Sequence, residues 1–155
     1  EIIDVMVENF SKKIEPFMLE INSSGKSLYD IIILASILER EVQTPEDKAL
    51  VAGILEARLE KKMPLQVDAT LAYEIGKGSK DLTLDDLGRD TPFNTYVHKG
   101  LPPGPIGNPG LEAIKAVLHP TVSPYLFYLS DKEGITRYAR TFDEHKKNKA
   151  KYLAD

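Results

Sequence analysis

Cysteine is absent from this chain of 155 residues, which excludes disulfides and thiolate metal sites and leaves the compartment open. No apolar run approaches the roughly 20 residues needed to cross a bilayer, and no signal peptide is visible. A strong basic field is missing too. Net charge is −4, with acids and bases interspersed, which argues against nucleic acid as the main partner. No glycine-rich phosphate loop opens a helix, and no serine sits in a nucleophile elbow. The three histidines lack metal-ligand spacing, and no carboxylate pair stands out as the acid and nucleophile of a retaining glycosidase. Neither metal nor cofactor is expected.

What is present fits one compact domain over residues 1–155. Hydrophobic residues make up 42% of the chain, and at this size folding buries roughly 68–70% of the unfolded surface. The chain opens Glu1-Ile2-Ile3-Asp4, inside an amphipathic pattern and without an initiator methionine, so it reads as a fragment of a longer protein.

Helical spacing of Ile3, Val7, Phe10, Ile14 and Phe17 predicts a first helix from Ile2 to about Ile21. Ser27 with Asp30 reads as a capping box opening a second, and Thr44-Pro45 starts a third that runs to about Lys61. A short helix from Asp68 to Ile75 ends at Gly76, Thr83 opens a further turn, and Asn108-Pro109 caps a helix through Leu118. Tyr125–Leu129 and Thr136–Arg140 form a hairpin around Asp131-Lys132-Glu133-Gly134, and Thr141 caps a charged final helix. The fold class expected is α+β: mostly helical, with one β-hairpin near the C-terminus.

Three segments carry the candidate chemistry. In Ile31–Glu41, the face of Glu39 at about 100° per residue holds Leu28, Ile32, Ala35, Ser36, Val42 and Gln43. A carboxylate there loses hydration, its pKa rises, and it becomes the first candidate for a general acid. The plainer alternative is a carboxylate that reaches the helix edge or pairs with an arginine. Glu41 lies on the Leu34, Ile37 and Leu38 side and is assigned an ion pair or hydrogen bond, while Ser36 either orients Glu39 or bonds back to its own helix.

The second segment runs from Met63 to Tyr73. Gln66 and Asp68 share one side if this stretch is extended. Asp68 and Thr70 equally suit capping of the short helix, whereas the Gln66 amide can both donate to and accept from sugar hydroxyls. The third segment, Thr91–Gly110, interleaves proline and glycine with aromatics and reads as a stiff loop lining a groove.

Together these segments resemble the MltG/YceG-like family of endolytic murein transglycosylases. The resemblance is carried in order by Leu34-Ala35-Ser36-Ile37-Leu38-Glu39-Arg40-Glu41, Met63-Pro64-Leu65-Gln66-Val67-Asp68-Ala69-Thr70, Asn94-Thr95-Tyr96, Gly100-Leu101-Pro102-Pro103-Gly104-Pro105-Ile106, Asn108–Ala116 and Tyr125-Leu126-Phe127-Tyr128. It implies the catalytic portion of an enzyme held at the extracytoplasmic face of the bacterial cell membrane by a single-pass anchor. Residues 1–22 would lead in from a LysM-like subdomain outside this chain. The family's catalytic glutamate, the first in its Ala-Ser-Ile-x-Glu-x-Glu motif, falls on Glu39. Gln66, Asp68, Thr70, Tyr73, Asn94 and Tyr96 fall in the substrate groove. Arg40, Val42, Val67 and Ala69 depart from the usual family residues, which touches substrate positioning more than reaction class.

The implied reaction cleaves the MurNAc-β-1,4-GlcNAc bond of nascent peptidoglycan strands and leaves 1,6-anhydro-MurNAc ends, with penicillin-binding proteins and other wall-synthesis proteins as partners. Two rivals are a muramidase that uses Asp68 or another carboxylate to activate water and a non-catalytic glycan-binding scaffold.

Overall fold

Local sequence signals set the helix boundaries of this computed structural model, which describes residues 1–153. Ser27, Thr44, Thr83 and Thr141 each accept the backbone N–H three residues ahead, satisfying a donor that the first helical turn leaves free. They open α3 (Leu28–Glu41), α4 (Pro45–Glu60), α6 (Leu84–Leu87) and α8 (Phe142–Tyr152). Gly76, at φ 69°, closes α5 (Asp68–Ile75) in the left-handed conformation that a side chain resists.

The first helix is not continuous to Ile21. Pro16 has no N–H to give the helical ladder, and α1 (Ile2–Ile14) passes through a 3-10 turn (Glu15–Phe17) into α2 (Met18–Ser23). Ile14 and Ile21 are buried, while Ile3 and Val7 of the same apolar pattern stay exposed. The later helix α7 (Leu111–Leu118) begins at Gly110, two residues beyond the expected Asn108 cap.

Helix α3 is the centre of the domain. Ile31, Ile33, Leu34, Ala35, Ile37 and Leu38 are all buried, and α4 and α7 pack around it. Each large aliphatic side chain buried this way contributes about 1.5–3 kcal/mol relative to leaving it in water. The hairpin pairs β1 (Phe127–Ser130) with β2 (Thr136–Ala139), Phe127 opposite Ala139 and Ser130 opposite Thr136. In its turn Asp131 accepts the Glu133 and Ile135 N–H groups and pairs with Arg137. The inner face of α8 meets the hairpin through Phe127, Phe142 and His145, with ring centroids 5.5–6.3 Å apart. The architecture is thus mostly helical with a two-stranded antiparallel hairpin, as the sequence pattern predicts.

The segment between α6 and α7 has no regular structure, yet it is strapped along α3. Tyr29 donates to the Pro103 carbonyl at 3.1 Å, the Ile106 N–H donates to Ser36 Oγ at 3.0 Å, and Arg40 donates to the Ile106 carbonyl at 3.2 Å. The Ser36 hydroxyl in turn donates to Ile33 O, so both of its capacities are used away from any substrate.

After α7 the chain crosses back over α4, where the Thr121 N–H reaches the Ala49 carbonyl at 2.8 Å. Gly53 makes this crossing possible, because a Cβ there would lie 2.1 Å from the Thr121 carbonyl oxygen. Gly53→Ala is expected to destabilise the fold by about 1–3 kcal/mol in urea unfolding. Gly107→Ala, with open space around its Cβ position, serves as control. Equal stability of the two variants would refute the close-approach argument.

Candidate active site

The last turn of α3 sends its two glutamates to different places. Glu39 is substantially exposed, at 38% of its side-chain surface. Its carboxylate accepts from Lys48 Nζ at 3.3 Å and from the Gly110 N–H at 3.1 Å, where α7 begins. The expectation of a dehydrated acid at Glu39 is therefore corrected. The side chain leaves its apolar face at the helix edge, and it ties α3 to the buried Lys48 of α4 and to the start of α7.

Glu41 lies where the dehydrated acid was sought. Residues three, four and seven positions before it are Leu38, Ile37 and Leu34, all at 3% exposure or less. Its carboxyl lines an open cleft of about 610 Å³ between α3, α4, the start of α5, the hairpin and α8. The Tyr128 hydroxyl donates to Glu41 Oε2 at 2.8 Å. Burial is the main cause that raises the Glu41 pKa from 4.5 to about 7, and the nearby Asp68 charge adds to it. Hydrogen bonds from Tyr128 and the Ala69 amide pull the other way without cancelling it.

Gln66 and Asp68 line the same cleft, though not as an alternating extended pair. Gln66 sits at φ 53°, a left-handed backbone for a residue with a side chain, and its N–H donates to Thr95 O at 3.0 Å. Such a conformation costs of order 1–3 kcal/mol and persists only where surrounding contacts enforce it. Asp68 begins α5 and accepts from the Tyr96 hydroxyl at 2.5 Å. Burial first, then Asp68, drives the Tyr96 pKa up, so that hydroxyl remains a donor.

Other expected groove residues are placed elsewhere. Asn94 is wholly buried. Its amide donates to the Leu87 and Arg89 carbonyls, and its oxygen accepts the Tyr96 N–H, which sets the backbone behind Tyr96. Thr70 is also wholly buried, donating to Val67 O and touching the Thr95 hydroxyl at 3.1 Å. Neither presents a polar atom to the cleft. Tyr73 packs its ring 5.5 Å from Phe93 and lines a smaller neighbouring hollow with Arg40 and Lys77.

Two cleft residues escaped sequence reasoning. Tyr128 was legible only as a strand residue. Arg58 carried a stronger signal, a charge following Val51, Ile54 and Leu55 on one apolar helix face, all three buried. It donates to the Leu126, Pro64 and Leu65 carbonyls at 2.7–3.2 Å and lies 4.9 Å over the Phe127 ring. Burial lowers its pKa. Among the described residues no group of histidine and carboxylate side chains is placed to hold a metal ion.

The YceG-like family model matches residues 1–151. A Bacillus subtilis (strain 168) protein named endolytic murein transglycosylase is 36% identical over 154 residues, covering 99% of this chain and 43% of that protein. A Streptococcus pneumoniae (serotype 2) protein of the same name is 32% identical over 158 residues, covering 98% and 29%. A crystal structure described as a putative yceG-like protein from Listeria monocytogenes superposes with a TM-score of 0.89 at 36% identity, over 94% of this chain and 48% of that one. The chain spans less than half the length of each of these relatives.

The raised Glu41 pKa has a consequence for stability. The folded state keeps a proton that the unfolded chain releases above pH 4.5, so this group costs stability as pH rises from 4.5 to about 7, and the cost is constant above that. Glu41→Gln removes it. The variant is expected to gain on wild type between pH 5 and pH 8, by at most roughly 2–3 kcal/mol, in thermal melts. An offset independent of pH would refute a buried acid.

Proposed function

The chain belongs to the YceG-like family, and from that premise we propose that it is the catalytic domain of an endolytic peptidoglycan lytic transglycosylase with Glu41 as its acid. The observation that carries the residue assignment is the place of the Glu41 carboxyl, in the wall of an open cleft with the Tyr128 hydroxyl donating to it, where burial raises its pKa to about 7. The names of the relatives supply the reaction class.

In the proposed cycle, protonated Glu41 gives its proton to the glycosidic oxygen between N-acetylmuramic acid and N-acetylglucosamine as the C1–O bond breaks. The resulting carboxylate takes the proton from the muramyl C6 hydroxyl, whose oxygen bonds to C1. The product is a 1,6-anhydro end, Glu41 returns to its starting state, and no water is consumed. Tyr128 fixes which way the carboxyl points. Asp68, held by Tyr96, offsets positive charge developing at C1, and the Gln66 amide contacts the sugar. Asn94 and Thr70 act behind this surface by setting the backbone of Tyr96 and Val67, and Glu39 acts by holding α7 to α3.

Among the described residues no helix is long and apolar enough to cross a membrane. In this reading the domain works on glycan strands outside the cytoplasmic membrane, tethered by a segment beyond this chain. Penicillin-binding proteins are proposed as neighbours there.

Glu41→Gln is expected to lower glycan cleavage by about 10²–10⁴-fold, whereas Glu39→Gln keeps most activity and loses stability. The reverse ranking, measured on uncrosslinked strands, would return the acid role to Glu39. Mass spectrometry of the products separates a transglycosylase from a muramidase, since anhydro ends lack one water.

A second expectation concerns pH. Activity requires protonated Glu41 and falls as pH rises through about 7. Asp68→Asn removes a charge that raises the Glu41 pKa, so the alkaline limb shifts to lower pH with activity remaining. Complete loss of cleavage in that variant would favour the muramidase reading, in which Asp68 activates water.

A further inference from the structure

Away from Glu41 and Asp68 the cleft changes character. Four cationic side chains line it, namely Arg40, Arg58, Lys80 and Lys149, against those two carboxyls. This excess of positive charge sits in a chain of net charge −4. Arg58 is buried and donates to three backbone carbonyls. Arg40, Lys80 and Lys149 are exposed at the cleft. Among the described residues neither Lys80 nor Lys149 has a carboxylate partner, in contrast to Lys26, Lys48, Lys77 and Lys146.

Helix geometry explains how Lys149 comes to face the cleft. Phe142, His145 and Lys149 are spaced by three and four residues, so one stripe of α8 turns inward. His145 stacks on Phe127, and its pKa is lowered first by burial and then by Lys149 and Arg58. That stripe therefore presents an apolar wall with an ammonium beside it. Across the cleft, Lys80 comes from the 3-10 turn (Ser79–Asp81) after α5, and Arg40 from the end of α3.

A glycan backbone of N-acetylated sugars carries no charge and needs none of these cations. Its acidic substituents do: the muramyl lactyl group ends in a carboxylate where it is free, and where a peptide stem is joined to it by an amide the stem's own carboxylates carry the charge. We propose that Lys149, Lys80 and Arg40 form a carboxylate-binding subsite that recognises the acidic substituents of the strand whose sugar bond lies at Glu41. This rests on the proposed glycan substrate. It adds that the enzyme reads the substituents as well as the sugars, and that the α8 stripe supplies the apolar surface for the stem's aliphatic groups.

The test measures equilibrium binding to the intact chain carrying Glu41→Gln, with and without Lys80→Gln and Lys149→Gln together. Three ligands are compared: a chito-oligosaccharide with no carboxylate, uncrosslinked strands stripped of peptide, and the same strands with stems. The lysine pair is expected to be worth about tenfold in affinity for an acidic strand, and nothing for the chito-oligosaccharide. The difference should fade at high salt. Loss confined to stem-bearing strands identifies the stem carboxylates, loss confined to stripped strands identifies the free lactyl carboxylate, and loss with both shows that the subsite takes either carboxylate.

The proposal is overturned if acidic strands bind no more tightly than the chito-oligosaccharide, or if the lysine variant loses affinity equally for all three. Melting temperatures of the two proteins exclude unfolding as the cause. Product masses from wild type read the cleavage reaction separately. Charge-dependent binding without anhydro products would sink the proposed activity while leaving the subsite in place.

Discussion

The peptide of Ile106 is held on both sides by α3, its N–H by Ser36 Oγ and its carbonyl by Arg40. A long segment without helix or sheet must find partners for its backbone groups, and an unpaired buried amide costs about as much as a lost hydrogen bond. Ser36 is wholly buried, so its hydroxyl is one of the few side-chain acceptors the helix can offer there. The clamp lays the proline-glycine segment along one flank of α3 and brings Gly110 to Glu39. That flank of the last turn is thereby fastened to the segment, with Glu39 left exposed at its edge. The opposite flank, where Glu41 emerges, stays open to the cleft. Division of the turn into a fastened side and a side that faces the cleft is what separates two glutamates only two residues apart.

Much of the framework was legible because it depends on neighbours in sequence. N-cap hydroxyls at Ser27, Thr44, Thr83 and Thr141, the left-handed glycine after α5 and the acidic turn of the hairpin all act within a few residues. The break at Pro16 was legible in principle, since a residue without an N–H cannot serve a helix interior. Polar residues of the site were harder, because their partners lie far along the chain. Asn94 and Thr70 look like sugar ligands in a motif, and become backbone supports once their carbonyl partners are known. The exposure of Glu39 was hidden from the sequence for a related reason. A helical wheel gives each side chain a direction, whereas dehydration depends on what covers that direction, and α7 and Lys48 leave Glu39 at the edge.

Gln66 and Asp68 illustrate the opposite case, a right grouping for a wrong reason. Alternation along an extended chain predicts that they lie together. The backbone instead turns left-handed at Gln66 and enters α5 at Asp68, and both still line the cleft. The strained residue is held by Thr95, whose carbonyl accepts the Gln66 N–H and whose hydroxyl accepts the Val67 N–H. Thr95 therefore does for this segment what Ser36 does for the proline-glycine segment. In both places a buried hydroxyl on one element fixes the backbone of another that has no regular structure.

The electrostatics of Glu41 depend on what Arg58 is prevented from doing. An arginine in the same cleft is the natural partner for a glutamate, and a direct pair would lower the carboxyl pKa and remove its proton at neutral pH. The fold instead directs the Arg58 guanidinium to three backbone carbonyls and to the Phe127 ring. Those carbonyls come from the segment after α4 and the one entering β1, so the same contacts join the hairpin to the core. Tyr128 on β1 then meets Glu41 as a neutral donor, which orients the carboxyl and lowers its pKa without cancelling the effect of burial. An acid that keeps its proton near neutrality thus needs the hairpin in two ways. It supplies the hydroxyl that holds the carboxyl, and together with the Pro64-Leu65 segment it takes up the buried Arg58 guanidinium that would otherwise ionise it.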